Sequence, residues 1–192
     1  HYKIIGQVVL GLIVGVTLYL SPSVVIKRNS EIVREGGVRE IRFETTDTKS
    51  LETSIPFLKA NNLDYSEILP ISDPGVKKIV GVTIFIMMTV VVVMLLSNGV
   101  NLTDGVDGLA SGSSAIVGVV LGVFAYVSSH HDMAGYLNTM FIPGAEELVI
   151  FAATLVGATA GFLWYNSYPA QVFMGDTGSL ALGGIIGVFA IL

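Results

Sequence analysis

The stretch IVGVTIFIMMTVVVVMLLS, residues 79–97, carries no charged side chain and is long enough to cross a lipid bilayer as a helix. A bilayer core of about 30 Å needs roughly 20 apolar residues in an α-helix, and lipid admits only helices or closed barrels. Residues 4–20, 109–129 and 148–165 have the same character, and a fifth apolar run begins near Leu180. The sequence therefore predicts an all-α, polytopic transmembrane helical bundle with four full spans and a severed fifth.

The composition supports a membrane protein. The 192 residues are 52% hydrophobic and 13% charged, whereas a soluble domain usually carries about 25% charged residues. The apolar runs lack the polar alternation of a membrane barrel, and the spacings Gly118 to Gly122 and Gly157 to Gly161 are typical of closely packed membrane helices. Because the chain has no cysteine, disulfides and thiolate metal sites are excluded.

The chain begins with His1 and ends at Leu192 inside an apolar run. No charged and then apolar signal segment precedes the first span. We therefore expect both ends to be cuts, so that residues 1–192 are the central part of one transmembrane domain.

Residues 21–78 form a polar excursion with nine basic and nine acidic side chains. Gly36-Gly37 lies between short runs of charged and β-branched residues, which predicts a small β-hairpin over residues 33–43. Pro56, Pro70 and Pro74 indicate an extended return to the membrane. The positive-inside rule would place this loop in the cytoplasm, but its length and balanced charge weaken the rule, so charge leaves the orientation open.

The order of the spans divides the polar segments between the two sides of the membrane. Helices that span must alternate in direction. Lys3, the loop 98–107 and the loop 166–178 are therefore expected on one side, and residues 21–78 and 130–147 on the other.

The loop 98–107 opens the segment NGVNLTDGVDGLASG, residues 98–112, which concentrates Asn, Asp and Gly at a membrane boundary. Asp104 and Asp107 are three residues apart and would share one face if a helical turn formed. Gly105 and Gly108 would let a ligand approach the backbone. This pattern indicates a site for a metal or a polar ligand.

The second polar segment, FMGDTGSL at residues 173–180, places Asp176 just before the fifth apolar run. Helix N-termini favour anions such as phosphate. Three carboxylates gathered on one side repel one another, and Mg²⁺ would relieve that repulsion while bridging to phosphate oxygens. No Lys or Arg occurs in residues 79–192, so an anionic substrate there needs a metal or cations from elsewhere. The plainer alternative is that each Asp only caps a helix or lies in a turn.

The segments NLTDGVDGLA (residues 101–110), FLWYNSYPAQ (residues 162–171) and FMGDTGSLALGG (residues 173–184) resemble the signature motifs of the phospho-N-acetylmuramoyl-pentapeptide transferase family. The resemblance implies a ten-helix bacterial inner-membrane enzyme with a cytoplasmic active site. Such an enzyme uses Mg²⁺ to move phospho-MurNAc-pentapeptide from UDP to undecaprenyl phosphate, with release of UMP. The excursion 21–78 would then be periplasmic. A homodimer stays open, and no nucleic acid is expected as a partner.

The resemblance also implies roles for single residues. Asp176 matches the Mg²⁺ ligand, Asp104 an essential carboxylate beside the phosphates, and Asn101 a polar residue of the same cleft. Phe173 matches the aromatic ring that stacks on uracil. The other residues expected to contact the substrate are Gly105, Val106, Asp107, Asn166 and Gly175.

Two parts of the family pattern are missing from residues 1–192. They are a paired-aspartate segment and a His-rich cytoplasmic motif, so this chain alone is expected to be inactive. His130-His131 lies on the opposite side and is interpreted as a polar loop pair. The alternatives are a polyprenyl-phosphate GlcNAc-1-phosphate transferase, an ion-coupled transporter that uses the three Asp residues, and an inactive remnant. Direct attack and a covalent intermediate both remain open.

Overall fold

A computed structural model describes residues 2–21, 29–35, 38–43, 52–54, 62–66, 68, 73–137 and 139–192. The helices are α1 (Tyr2–Leu20), α2 (Pro74–Thr103), α3 (Leu109–Ser129), α4 (His131–Leu137), α5 (Glu146–Asn166) and α6 (Gly175–Phe189). Helices α1, α2, α3 and α5 are long and apolar enough to cross a membrane. The predicted helical bundle with four spans is therefore confirmed.

Helix α2 is longer than the apolar run that predicted it. It begins at Pro74 because Asp73 caps it, with Oδ1 accepting a hydrogen bond from the backbone N–H of Gly75 at 2.8 Å. Proline suits this first helical position, since its missing N–H is not needed there. The expectation that Pro74 belongs to an extended segment is therefore wrong. An apolar run predicts only the part of a helix that lies in the lipid. The polar last turns of α2, residues 98–103, were therefore predicted as a loop.

The predicted hairpin is confirmed by strands β1 (Asn29–Glu35) and β2 (Val38–Phe43), which pair antiparallel. Its Gly36-Gly37 turn, like Pro56 and Pro70, lies outside the described residues. A second antiparallel pair, β3 (Glu52–Ser54) and β4 (Asn62–Asp64), was not predicted. The short helix α4, within the loop 130–147, was not predicted either.

The spans pack as two groups that meet at α6. Helix α2 lies between α1 and α6, and α3 packs along α5. Leu182 and Ile186 of α6 pack with Leu155 of α5 in a buried cluster that also includes Leu96 and Val100 of α2. This cluster packs the second half of α6 against the last turns of α2.

Glycine allows α2 and α6 to come unusually close together. A Cβ atom at Gly183 would lie 2.5 Å from the carbonyl oxygen of Leu96 and 2.6 Å from Cα of Ser97. Farther along α6, a Cβ atom at Gly187 would lie 3.0 Å from Cα of Val93. The backbones of α2 and α6 are therefore in contact next to the polar segments.

The two glycine pairs singled out by their spacing behave differently. Cβ atoms at Gly118 and Gly122 would lie 3.0 Å from side chains of α5, which confirms the close packing of α3 on α5. Gly157 and Gly161 have nothing within 4 Å among the described residues. The close packing expected of that pair therefore stays a prediction, because residues 1–192 span only about half of the relatives' length.

Candidate functional site at the ends of α2, α5 and α6

Asn101, in the last turn of α2, joins three helices through its side-chain amide. Its Oδ1 atom accepts a hydrogen bond from Nζ of Lys3 on α1 at 2.5 Å. Its Nδ2 atom donates to Oδ1 of Asp176 at 3.0 Å and to Oγ of Ser179 at 2.9 Å, both on α6. Two predicted site residues, Asn101 and Asp176, are thus hydrogen-bonded to each other, and the ammonium group of Lys3 lies beside them.

Asp176 lies in the first turn of α6, which begins at Gly175, five residues before the apolar run at Leu180. The residue at the N-cap position is Met174, and it makes no capping side-chain hydrogen bond. The hydrogen bond to the Asp176 carboxylate comes instead from Asn101 on α2. Asp176 is exposed, so its carboxylate is accessible and is not used as a helix cap.

Asp104 follows directly after α2 as its C-cap residue, where its backbone N–H donates to the carbonyl of Asn101 at 3.4 Å. Residues 104–108 form turns rather than a helical turn. The expected shared helical face of Asp104 and Asp107 is therefore not formed. The Asp104 side chain is half-buried at the same end of α2 as Asn101.

A second set of contacts ties the loop after α2 to the loop after α5. The buried Asn166 accepts hydrogen bonds at Oδ1 from the N–H of Gly108 at 3.2 Å and from Oγ of Ser111 at 3.0 Å. Its Nδ2 atom donates to the carbonyl of Val172 at 2.9 Å. Oδ2 of Asp107 accepts from the N–H of Ala170 at 3.1 Å. Together with the contact between Lys3 and Asn101, these bonds confirm that both loops lie on the Lys3 side.

Gly108 has a structural reason to be glycine. Its φ of +75° is disfavoured for residues with a side chain. A Cβ atom there would also lie 3.1 Å from Cδ1 of Leu163 on α5. Glycine at position 108 thus allows the N-terminus of α3 to pack closely against α5. From the sequence we had expected Gly108 only to let a ligand approach the backbone. Gly105, by contrast, is exposed.

Exposed side chains surround these contacts. Phe173, in the loop before α6, is 71% exposed, and Val106, in the loop after α2, is 62% exposed. An aromatic ring with one free face can stack on a flat base. The two loops therefore combine polar side chains that are fixed by hydrogen bonds with exposed side chains that a ligand can reach.

Within the described part of the chain, no three His, Cys, Asp or Glu side chains come together as a potential metal site. The expected gathering of three carboxylates is therefore wrong. The reason is that Asp107 is bound to the Ala170 backbone, while Asp176 is bound to Asn101. The accessible carboxylate of Asp176 still fits Mg²⁺, which is commonly held by one or two carboxylates together with substrate phosphates.

The sequence did not single out Lys3, Ser179 or Ser111 as site residues. Lys3 could have been found, because it is the one basic residue on the same predicted side as both polar loops. Ser179 and Ser111 are fully buried and bond to Asn101 and Asn166, respectively. Their importance depends on contacts between helices far apart in the sequence, which residue spacing alone does not reveal.

Comparison with known proteins agrees with the motif resemblance. The chain is 63% identical over its whole length to a phospho-N-acetylmuramoyl-pentapeptide-transferase of Porphyromonas gingivalis, of which it covers 46%. It is 59% identical to the protein of the same name in Parabacteroides distasonis, with 46% covered, and 58% identical to that of Bacteroides fragilis, with 45% covered. The chain thus spans about half the length of these relatives.

The match to a family model covers most of the chain. The model of glycosyl transferase family 4 matches residues 50–192, a range that includes α2 to α6 and both polar loops. This range also contains the residues that form the polar contacts around Asn101 and Asn166, with the exception of Lys3. It contains the glycines between α2 and α6 as well. The chain therefore belongs to glycosyl transferase family 4.

Proposed function

We propose that the full-length protein transfers phospho-MurNAc-pentapeptide from UDP-MurNAc-pentapeptide to undecaprenyl phosphate. The observation that carries the proposal is the set of contacts around Asn101, which holds Lys3 and Asp176 beside each other at the end of a helical bundle. A cation and a carboxylate next to each other are suited to bind a diphosphate and a divalent metal, respectively. The names of the relatives point to the same reaction.

The nucleotide half of the substrate fits the loops after α2 and α5. In this proposal Phe173 stacks on the uracil ring, while Gly105, Val106 and Asp107 lie along the edge of the base. Asn166 is 4% exposed, and both ends of its amide are already hydrogen-bonded. We therefore assign Asn166 to positioning the two loops rather than to direct contact with the base.

The diphosphate is proposed to lie over the start of α6. In the net reaction, an oxygen of the lipid phosphate forms a bond to the sugar-linked phosphorus, and the bond from that phosphorus to the UMP oxygen breaks. Lys3 and the free N–H groups of the first turn of α6, which begins at Gly175, would bind phosphate oxygens. Asp176 would hold Mg²⁺, with Asp104 beside the phosphates. When bound, Mg²⁺ supplies positive charge that offsets the charge developing on the departing UMP.

The proposal includes a location and partners. The protein would be a multi-pass protein of the bacterial inner membrane with this site at the cytoplasmic face, which makes residues 21–78 periplasmic. It would take both the nucleotide sugar and the lipid carrier, and the homodimer stays a prediction. Because residues 1–192 span about half of the relatives' length, we expect no transfer from these residues alone.

The assay is UMP release by the full-length protein in nanodiscs that contain undecaprenyl phosphate. We expect Mg²⁺-dependent release with UDP-MurNAc-pentapeptide and much slower release with UDP-GlcNAc. A preference for UDP-GlcNAc would instead identify the related GlcNAc-1-phosphate transferase. Ion flux in liposomes without UMP release would favour a transporter. The position of Asp104 and Asp176 at helix ends argues against a transporter, since transport carboxylates commonly lie within the span.

A further inference from the structure

A buried polar network lies directly beneath the Asn101 contacts. Gln7 of α1 is 7% exposed and Ser97 of α2 is 2% exposed, although both belong to membrane spans. Nε2 of Gln7 donates to Oγ of Ser97 at 2.9 Å, and Oε1 of Gln7 accepts from Nδ2 of Asn98 at 3.0 Å. Since burial of an amide without partners is costly, this pairing fixes where Gln7 can lie.

The network continues from α2 into α6. Oγ of Ser97 donates to the backbone carbonyl of Leu180 at 2.9 Å. This bond needs the two backbones to be close, and Gly183 permits that approach, since a Cβ atom there would lie 2.6 Å from Cα of Ser97. Gln7 is therefore linked to α2 and α6 through Ser97. Lys3 is linked to the same two helices through Asn101.

The spacing between the two layers is the same on all three helices. Gln7 is four residues from Lys3, Ser97 is four residues from Asn101, and Leu180 is four residues from Asp176. Four residues are about one helical turn, or roughly 6 Å along the axis. The contacts among Gln7, Ser97 and Leu180, here called the buried layer, thus lie one helical turn deeper in the membrane than the contacts among Lys3, Asn101 and Asp176.

We infer that Gln7 is a positioning residue that sets the register of α1 against α2 and α6 and so holds Lys3 beside Asn101 and Asp176. The lysine side chain is long and flexible, and its hydrogen bond to Asn101 lies in an exposed position. Gln7 fixes the backbone from which that side chain extends. The inference about activity rests on the proposed transferase function, whereas the inference about register does not.

The test replaces Gln7 with Met in the full-length protein. Methionine has a similar length and is apolar, so it fills the same volume without hydrogen bonds. Thr17→Val is the matched control on α1, because the Thr17 hydroxyl donates to the backbone carbonyl of Ile13 in its own helix and not to another helix among the described residues. We expect Gln7→Met to lower kcat by roughly 10- to 100-fold, the scale of a small misplacement, with KM and the thermal midpoint close to those of Thr17→Val.

A double-mutant cycle separates positioning from general stability. If Gln7 acts through Lys3, Gln7→Met should add little further loss of kcat in a Lys3→Met background, because coupled residues are not additive. Full additivity of the two losses would overturn the inference. So would an unchanged kcat in Gln7→Met.

A distance measurement tests the register without any assay of transfer. Spin labels on cysteines introduced at Tyr2 and Leu102 flank Lys3 and Asn101 on two different helices, and residues 1–192 contain no native cysteine. Native cysteines elsewhere in the full-length protein would be replaced first. We expect Gln7→Met to shift or broaden the distance distribution and Thr17→Val to leave it unchanged. An unchanged distribution in Gln7→Met overturns the inference even if transfer is never detected, and absence of transfer with a shifted distribution counts only against the proposed function.

Discussion

Nδ2 of Asn101 donates a hydrogen bond to Oδ1 of Asp176 at 3.0 Å, although 75 residues separate the two in the chain. The same asparagine accepts from Lys3, so a neutral amide lies between the cation and the carboxylate. A neutral amide adds no positive charge beside the carboxylate, whereas a direct ion pair with Lys3 would. In the proposed function, this arrangement leaves Asp176 available as the Mg²⁺ ligand and Lys3 available for a substrate phosphate.

Replacement of Asp176 with Asn tests whether that charge is functional. The amide keeps an oxygen that can accept the hydrogen bond from Asn101, so the full-length variant should fold with a similar thermal midpoint. It loses the anionic ligand that a hard cation prefers. We expect transfer to fall by roughly 10²-fold or more, the scale seen when one preorganised electrostatic group is removed. UMP release over a Mg²⁺ titration measures the effect.

Asp132→Asn is the control for loss of one negative charge. Asp132 is fully exposed in α4, in the loop 130–147 expected on the side opposite Lys3. This variant should keep normal transfer. A folded Asp176→Asn protein with an unchanged rate and unchanged Mg²⁺ dependence would end the metal-ligand assignment.

Mg²⁺ and the diphosphate are expected to bind together. Mg²⁺ is commonly held by one or two carboxylates together with substrate phosphates, and Asp176 offers one accessible carboxylate, so we expect substrate phosphates to contribute to the coordination. In the full-length protein, Mg²⁺ should strengthen the binding of UDP by about 10-fold or more, a coupling of roughly 1.4 kcal/mol. Uridine lacks phosphates and should bind equally well with and without Mg²⁺. Calorimetric titration of both ligands checks this, and an equal effect of Mg²⁺ on uridine would contradict it.

Much of the fold follows from the local sequence. A span needs only a long apolar run, so α3 was predicted with both bounds correct, as residues 109–129. The end of α2 was not predicted, because Asn98 and Asn101 look like loop residues until their partners on α1 and α6 are known. Gly157 and Gly161 repeat the spacing of a packing motif, but spacing does not say which face a neighbouring helix covers.

The candidate site was predicted in part for a similar reason. The alternation of spans was enough to place the loops of Asp104 and Asp176 on the side of Lys3. It could not show that Asp107 would bind the backbone of Ala170, because a turn rather than a helix follows Asp104. Nor could it show that Lys3 reaches Asn101, since that contact depends on how α1 packs against α2.

Replacement of Phe173 with Ala tests the proposed stacking on uracil. The ring is 71% exposed, so its loss should change folding little. Stacking of a base on an aromatic ring contributes about 1–3 kcal/mol, so the affinity for UDP should fall by roughly 5- to 150-fold. Phe173→Trp should restore most of it. Val172→Ala is the control, because the hydrogen bond from Asn166 goes to the backbone carbonyl of Val172, which the substitution keeps. A similar loss of affinity in that variant would argue against stacking.

Replacement of Gly183 with Ala tests the close approach of α2 and α6. Alanine favours a helix over glycine by about 1 kcal/mol, so substitution in open space should be neutral or slightly stabilising. At Gly183 the added Cβ atom would lie 2.5 Å from the Leu96 carbonyl oxygen. A backbone atom cannot move aside as a side chain can, and such overpacking commonly costs about 1–3 kcal/mol.

The clash at Gly183 should therefore outweigh the gain in helix propensity. We expect a lower free energy of unfolding and a loss of transfer, because separating α2 from α6 also separates Asn101 from Asp176. Gly157→Ala is the matched control, since a Cβ atom there has nothing within 4 Å in the described residues. Denaturant unfolding of the two full-length variants, followed by UMP release, gives the comparison. If Gly183→Ala proved as stable and as active as Gly157→Ala, the direct backbone contact between α2 and α6 would be wrong, and the buried layer of Ser97 and Leu180 with it.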